Sequence, residues 1–184
     1  MPTTCTGCSV TVPTLAASCG QNKKPGGIPY LAFVACDDAT IIADPDDLAA
    51  WQAAVTANDA RVVKNLLGEL PKANASMKRF QSCFPEGLQG KNYTLNVQDY
   101  DFQESGSPLV ADKENFYNTI QADPTKYNLY YGSCDGRMWL VPNFVLVMDV
   151  VVPNNNVESR YMDINIMFQG QTMGTQYIFD LGTV

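Results

Sequence analysis

The C-terminal half of the chain repeatedly alternates apolar and polar residues over segments of strand length. Met162, Ile164 and Ile166 lie at every second position, with Asp163 and Asn165 between them. A period of two is typical of a β-strand with one face on a hydrophobic core and the other in solvent. The pattern therefore predicts a mainly β chain, because each such strand must pair with others and have its apolar face covered.

Further segments of strand length are separated by turn signals. They are the ranges 28–36, 127–131, 137–141, 144–152 and 177–181. Asp135-Gly136 lies between the second and third of these ranges and supplies the positive φ of a hairpin turn. The range 144–152 is apolar on both faces except at Asp149, which predicts a central strand.

One strand shows a change of phase. Apolar and polar residues alternate over 93–97, but the next apolar residues are Tyr100 and Phe102. One extra residue near Asp99 would produce this change, so the sequence predicts a β-bulge there. A bulge bends a strand and suits a closed or strongly curved sheet.

Two segments have helical spacing, and each begins at an aspartate. Asp44 is the predicted cap of a helix that has Pro45 at its first position and extends to about residue 56. Asp112 is the predicted cap of a second helix that ends before Pro124. The apolar stripes are Leu48, Trp51, Ala54 and Val55 in the first helix and Phe116, Tyr117 and Ile120 in the second. A helix of about ten residues is not stable alone, so these must pack on the sheet.

The length of 184 residues suits one domain. Residues 1–27 are rich in Thr, Ser, Cys and Gly, and we interpret them as an N-terminal arm. Residues 28–184 are then a single β-rich domain with a helical insertion near 44–70. Within it, 61–70 fits either a strand or a helix, and 72–76 is predicted to be a loop.

The composition excludes several kinds of chemistry. The chain has no histidine, so it lacks the commonest general base, a common metal ligand and any Ser-His-Asp triad. Neighbouring carboxylates occur at Asp37 and Asp38, Asp46 and Asp47, and Asp99 and Asp101. Paired acids can perform glycosidase chemistry, but solvation and a helix dipole explain the first two pairs better. We predict that the protein is not an enzyme and holds no cofactor.

The balance of charged residues indicates whether the protein binds nucleic acid. Twelve Lys and Arg residues against nineteen Asp and Glu residues give a formal net charge of −7. Because phosphate contacts need clustered basic groups, this balance argues against a protein that grips nucleic acid.

The N-terminal arm contains the cysteines whose spacing is most like that of a metal site. Cys5 and Cys8 form a C-x-x-C motif, and Cys19 could supply a third ligand. A zinc site made only of cysteines would need a second such motif, so we favour reduced thiols and keep a metal site as the weaker alternative. The arm carries no secretory signal pattern and no apolar run approaches about 20 residues. We therefore expect a protein made in a cytoplasm, without a membrane partner.

Three groups of residues together resemble a known family. Gly26-Gly27-Ile28 opens a strand beside the arm, and residues 77–83 with Pro85-Glu86 precede the strand at 93–97. A short helix at 115–120 is followed by residues 131–136 and a closing strand at 161–168. This order of elements over residues 26–184 resembles virion proteins of tailed bacteriophages, particularly the tail-tube family and its relatives in connector rings. The helical stretch at 44–70 and the cysteine-rich arm depart from that pattern.

The resemblance implies an antiparallel β-sandwich or barrel flanked by one or two short helices. It implies stacked rings of identical subunits in the tail or neck of a virion, assembled in the host cytoplasm with other virion proteins and without an active site. DNA would pass through such a ring without specific binding, because an acidic wall repels phosphate. Asp99, Asp101 and Glu104 are the candidate lumen-facing acids. A capsid decoration protein, or a receptor- or carbohydrate-binding β-sandwich module, is the alternative.

Overall fold

The computed structural model describes residues 27–36, 42–78, 87–100, 108–152, 154, 161–170 and 172–184. This part of the chain forms ten strands: β1 (Tyr30–Ala35), β2 (Ala60–Val63), β3 (Leu66–Gly68), β4 (Lys72–Lys78), β5 (Gly87–Asp99), β6 (Tyr127–Gly132), β7 (Met138–Val141), β8 (Val145–Val151), β9 (Tyr161–Gly170) and β10 (Thr175–Tyr177). Its two α-helices are α1 (Leu48–Ala57) and α2 (Pro108–Ala122), and short 3₁₀ turns lie at Pro124–Lys126 and Leu181–Thr183.

The strands form two antiparallel sheets of five strands each. The first sheet has the order β10-β7-β6-β1-β2. The second has the order β3-β5-β9-β8, and β4 pairs with β5 beyond the end of β3, on the same edge. The predicted mainly β, α+β sandwich with short helices is therefore confirmed, and the described strands do not close into a barrel.

The main core lies between the two sheets. On β9, Met162, Ile164 and Ile166 are fully buried, which confirms the predicted alternation. They face Leu31 of β1 and Leu129 of β6 in one cluster. Burying each such side chain contributes roughly 1.5–3 kcal/mol, so this interface is what holds the two sheets together.

A second core covers the outer face of the first sheet. Trp51 of α1 is fully buried and packs edge-on against Tyr130, with ring centroids 5.0 Å apart. It also stacks on Phe179, which follows β10, at 5.9 Å. Burial raises the pKa of Tyr130 to about 12. The central strands of the first sheet, β1 and β6, are consequently buried on both faces.

The boundaries of α1 correct the prediction for this region. Asp47 is the N-cap, because its carboxylate accepts a hydrogen bond from the Ala49 amide at 3.0 Å. Asp44 instead accepts from the Asp46 amide in the preceding turn, at 3.1 Å. The predicted cap was wrong because three aspartates near this helix start can all cap, and only the turn geometry selects between them.

The predicted helical insertion near 44–70 is helical only over α1. Residues 60–68 form β2 and β3, which belong to different sheets. Asn65 lies between them with φ 62°, a left-handed conformation that asparagine tolerates better than most residues. The predicted loop at 72–76 is also wrong, because these residues belong to β4 and pair with β5.

The predicted bulge near Asp99 is wrong. β5 pairs with β9 without interruption from Lys91 to Asp99, and the strand ends before Tyr100. The apolar phase does not change: Asp99 occupies the next inward-facing position and is buried. A shift of register lies instead between Ser76 and Met77, on β4.

Helix α2 and strand β8 each differ from the prediction. α2 begins at Pro108 rather than at Asp112, although it ends before Pro124 as predicted. β8 is the last strand of its sheet rather than a central one. Beside it, the Met148 amide donates to the side-chain carbonyl of Gln121 on α2 at 2.9 Å.

The C-terminal strands are confirmed in part. β6 and β7 form the predicted hairpin, with Gly136 at φ 78° in its turn. The last predicted strand, 177–181, is shifted, because β10 ends at Tyr177 and Leu181 lies in a 3₁₀ turn.

Candidate interaction surface

The outer face of the second sheet belongs to neither of the two buried clusters. Its side chains alternate with those of the core. They are Leu67 on β3; Thr94, Asn96 and Gln98 on β5; Asp163, Asn165 and Met167 on β9; and Val145, Val147 and Asp149 on β8. The strand register fixes them in rows across the sheet, and these rows lie outside both buried clusters.

One end of this face carries an apolar patch, which consists of Val145, Val147 and Met167. Val145 is 52% exposed, Val147 36% and Met167 44%. Val145 lies directly opposite Met167 in the register, and a hollow of about 440 Å³ lined partly by Phe144 and Phe168 lies next to them. Exposed apolar clusters with polar surroundings are typical of protein interaction sites.

The other end has a polar groove of about 500 Å³. It lies at the edge where β3 and β4 pair with successive parts of β5. Its lining includes Leu67, Thr94, Asn96, Gln98 and Asp163. Asp163 lies directly opposite Asp149 across β8 and β9. Like charges in such positions are unfavourable, and the Asp163 carboxylate also accepts a hydrogen bond from the Asn165 side-chain amide at 3.4 Å.

Asp99 does not lie on a surface. Its carboxylate is fully buried, and both oxygens lie 3.1 Å from Nζ of Lys113 on α2. The Tyr117 hydroxyl donates to the same carboxylate at 3.2 Å. Burial, followed by the negative charge of Asp99, raises the pKa of Tyr117. These contacts fasten α2 to the second sheet.

This position removes Asp99 from the candidate lumen-facing acids, because a buried and paired carboxylate cannot line an open channel. Asp101 and Glu104 lie outside the described residues. The unbroken alternation of Tyr93, Leu95, Val97 and Asp99 was the signal that could have identified the buried position.

The metal alternative at Cys5, Cys8 and Cys19 also lies outside the described residues. Among the residues that the structure does describe, no group of three or more His, Cys, Asp or Glu side chains could hold a metal ion. Cys36 and Cys134 are present there as thiols.

The acid Asp135 stabilises a turn. Asp135 accepts hydrogen bonds from Arg137, whose Nε lies 2.6 Å from it, and from the Ser133 hydroxyl. These bonds, the one from Arg137 first, lower the pKa of Asp135 to about 2. This group belongs to the turn of the β6–β7 hairpin, in agreement with the interpretation of Asp135-Gly136 as a turn.

Comparison with family models, with curated proteins and with solved structures found no match for this chain. Neither helix of the described part is both long and apolar enough to cross a bilayer. The apolar patch and the polar groove are therefore the two features from which a function is inferred.

Proposed function

We propose that this protein is a structural subunit that assembles with copies of itself, through the apolar patch on the second sheet. The setting that we propose is the virion of a tailed phage, as a ring or stacked rings in the tail tube or neck. One observation is the main support for self-assembly: three exposed apolar side chains cluster on a sheet face that belongs to neither core. The order of elements in the sequence supports the phage setting.

The surroundings of the apolar patch suit an interface. Thr94 lies beside Met167 and Asn165 beside Val147 in the strand register, so polar groups border the patch. Stable interfaces commonly have an apolar centre and a polar rim. Such an interface buries about 800 Å² per partner, an area to which the neighbouring rows of this face would also have to contribute.

A ring requires two different surfaces on each subunit, because its contacts run head to tail. The first sheet offers the edge strand β2, and strand edges are effective sites for pairing with another chain. A contact between the apolar patch of one copy and a different surface of the next would close a ring or continue a stack.

The acidic charge supports a ring around DNA. A wall with few cations does not trap phosphate, so DNA could move past it. Asp101 and Glu104 stay the candidate lumen-facing acids, and Asp99 is not among them.

The assembly can be tested by light scattering coupled to size exclusion, together with electron microscopy of purified protein. We expect the unmodified protein to form rings or tubes with a central channel. The double variant V145E/M167E should dissociate into smaller species, because it places charge at the centre of the interface. Ile178→Glu is the matched control, since Ile178 is 80% exposed and lies beyond β10 on the other sheet.

Two results would contradict the proposal. One is an unmodified protein that stays a monomer at high concentration and moderate salt. The other is a V145E/M167E variant that assembles as well as Ile178→Glu does. A discrete monomer or trimer would favour a decoration or binding module instead.

A further inference from the structure

An aromatic pair stands at the far end of the outer face from the apolar patch. The rings of Tyr100 and Tyr161 lie with centroids 5.1 Å apart, and Tyr100 is 42% exposed. The Tyr100 hydroxyl donates to the side-chain carbonyl of Gln98 at 3.0 Å. This bond fixes the exposed ring beside β5, on the same face as the polar groove.

The aromatic pair and the polar groove are continuous. Gln98 lines the groove and also holds Tyr100. Asp163, which pairs with Gln98 in the register, lies two residues after Tyr161 on β9 and therefore faces the same side. The aromatic pair thus lies next to a groove that is lined by an aliphatic side chain, amides and carboxylates.

We propose that the polar groove and the aromatic pair bind a neutral oligosaccharide. A sugar ring has an apolar face of C–H groups, which suits an aromatic surface, and a rim of hydroxyls. Amides both donate and accept, while carboxylates accept from two hydroxyls at once, so Asn96, Gln98 and Asp163 match that rim. The groove volume of about 500 Å³ is within the range of small-molecule sites.

Charge selects against an acidic sugar. Asp149 and Asp163 are opposite each other in the register, and ligand hydroxyls would offset their repulsion by donating to them. The lysine in the groove lining, Lys72, is already paired with Glu69 at 2.7 Å. An anionic ligand in the groove would thus meet the Asp163 carboxylate and a lysine that is already paired with Glu69.

The centre of the sugar site is displaced from the apolar patch, although Thr94 lines the groove and also lies opposite Met167. Met167 lies four residues beyond Asp163 on β9, a distance of about 13 Å along the strand. Sugar binding is measured separately from assembly, so the failure of one proposal is distinguishable from the failure of the other.

The test uses saturation-transfer NMR and titration calorimetry on the full chain. The probes are cellohexaose, laminarihexaose, xylohexaose, mannohexaose, maltohexaose and chitohexaose, with an oligogalacturonate as the acidic comparison. We expect at least one neutral hexaose to bind and the oligogalacturonate not to bind. The double variant Y100A/Y161A should weaken binding at least tenfold, and Gln98→Ala should weaken it several-fold.

Tyr100→Phe keeps the ring and should retain most of the affinity, which separates stacking from a general loss of structure. Ile178→Glu, on the other sheet, should bind as the unmodified protein does. Circular dichroism of each variant verifies that it is folded. Failure of all six neutral hexaoses to bind would overturn the proposal, as would full affinity in a folded Y100A/Y161A variant.

Discussion

Asp99 occupies the position at which the inward-facing row of β5 meets helix α2. The three preceding residues of that row, Tyr93, Leu95 and Val97, are buried and apolar. A charge at the fourth position is tolerated because Lys113 and Tyr117 both bind it. Removing one partner of such a pair is costly, since the other charge then stays buried without compensation.

The pair can be tested by a double substitution. Lys113→Met should lower the free energy of unfolding by roughly 2–3 kcal/mol, which is less than for a fully buried partner because the Lys113 side chain is 26% exposed. Adding Asp99→Asn should recover part of that loss, because it removes the uncompensated charge and keeps an acceptor for the Tyr117 hydroxyl. Urea denaturation measures both changes. A double variant that is less stable than Lys113→Met would show that the charge itself is required.

Among the secondary-structure elements, helix α1 covers the outer face of the first sheet. The predicted stripe of this helix is only partly buried: Trp51 and Ala54 are buried, whereas Leu48 is 38% exposed. Trp51 joins three parts of the chain, because it packs on Tyr130 and Phe179 and its Nε1 donates to the Pro45 carbonyl at 3.0 Å.

Substitution of Trp51 should therefore disrupt packing throughout the second core. Trp51→Ala is expected to lower the free energy of unfolding by about 3–5 kcal/mol, because it leaves a large cavity. Gln52→Ala on the exposed side of the same helix should change it by less than about 0.5 kcal/mol. The two variants can be compared by thermal and urea unfolding. Equal effects would mean that α1 contributes little to the fold.

Strand β8 shows why an apolar pattern misled the prediction. A strand that is apolar on both faces is typical of the centre of a buried sheet. Here one face, with Leu146 and Met148, lies in the core, whereas the other, with Val145 and Val147, forms part of the apolar patch. The same pattern thus marks a strand whose second face is available for another molecule.

At the scale of the whole molecule, the two sheets are covered unequally. The first has central strands that are buried on both faces, and the second has a face that belongs to neither cluster. The formal net charge of −7 acts against association, because every copy repels every other. An apolar interface must overcome this repulsion.

Salt should therefore promote assembly. Raising sodium chloride from about 50 to 300 mM shortens the range of charge repulsion to below about 10 Å, so the mean particle mass in light scattering should increase. The V145E/M167E variant should respond less, because its patch no longer supplies an apolar contact. A particle mass that falls with salt would instead indicate an interface held by ion pairs.

The sequence by itself determined the local elements of this protein: the alternating strands, the β6–β7 hairpin, the C-terminal end of α2 and the mainly β class. These depend on the period of apolar residues and on turn chemistry, both of which act between near neighbours. Only the tertiary structure decided that Asp99 binds Lys113 and Tyr117, that β8 is an edge strand and that the aromatic pair borders the polar groove. Those features depend on which strands pair across long separations, and a local pattern carries no record of sheet order.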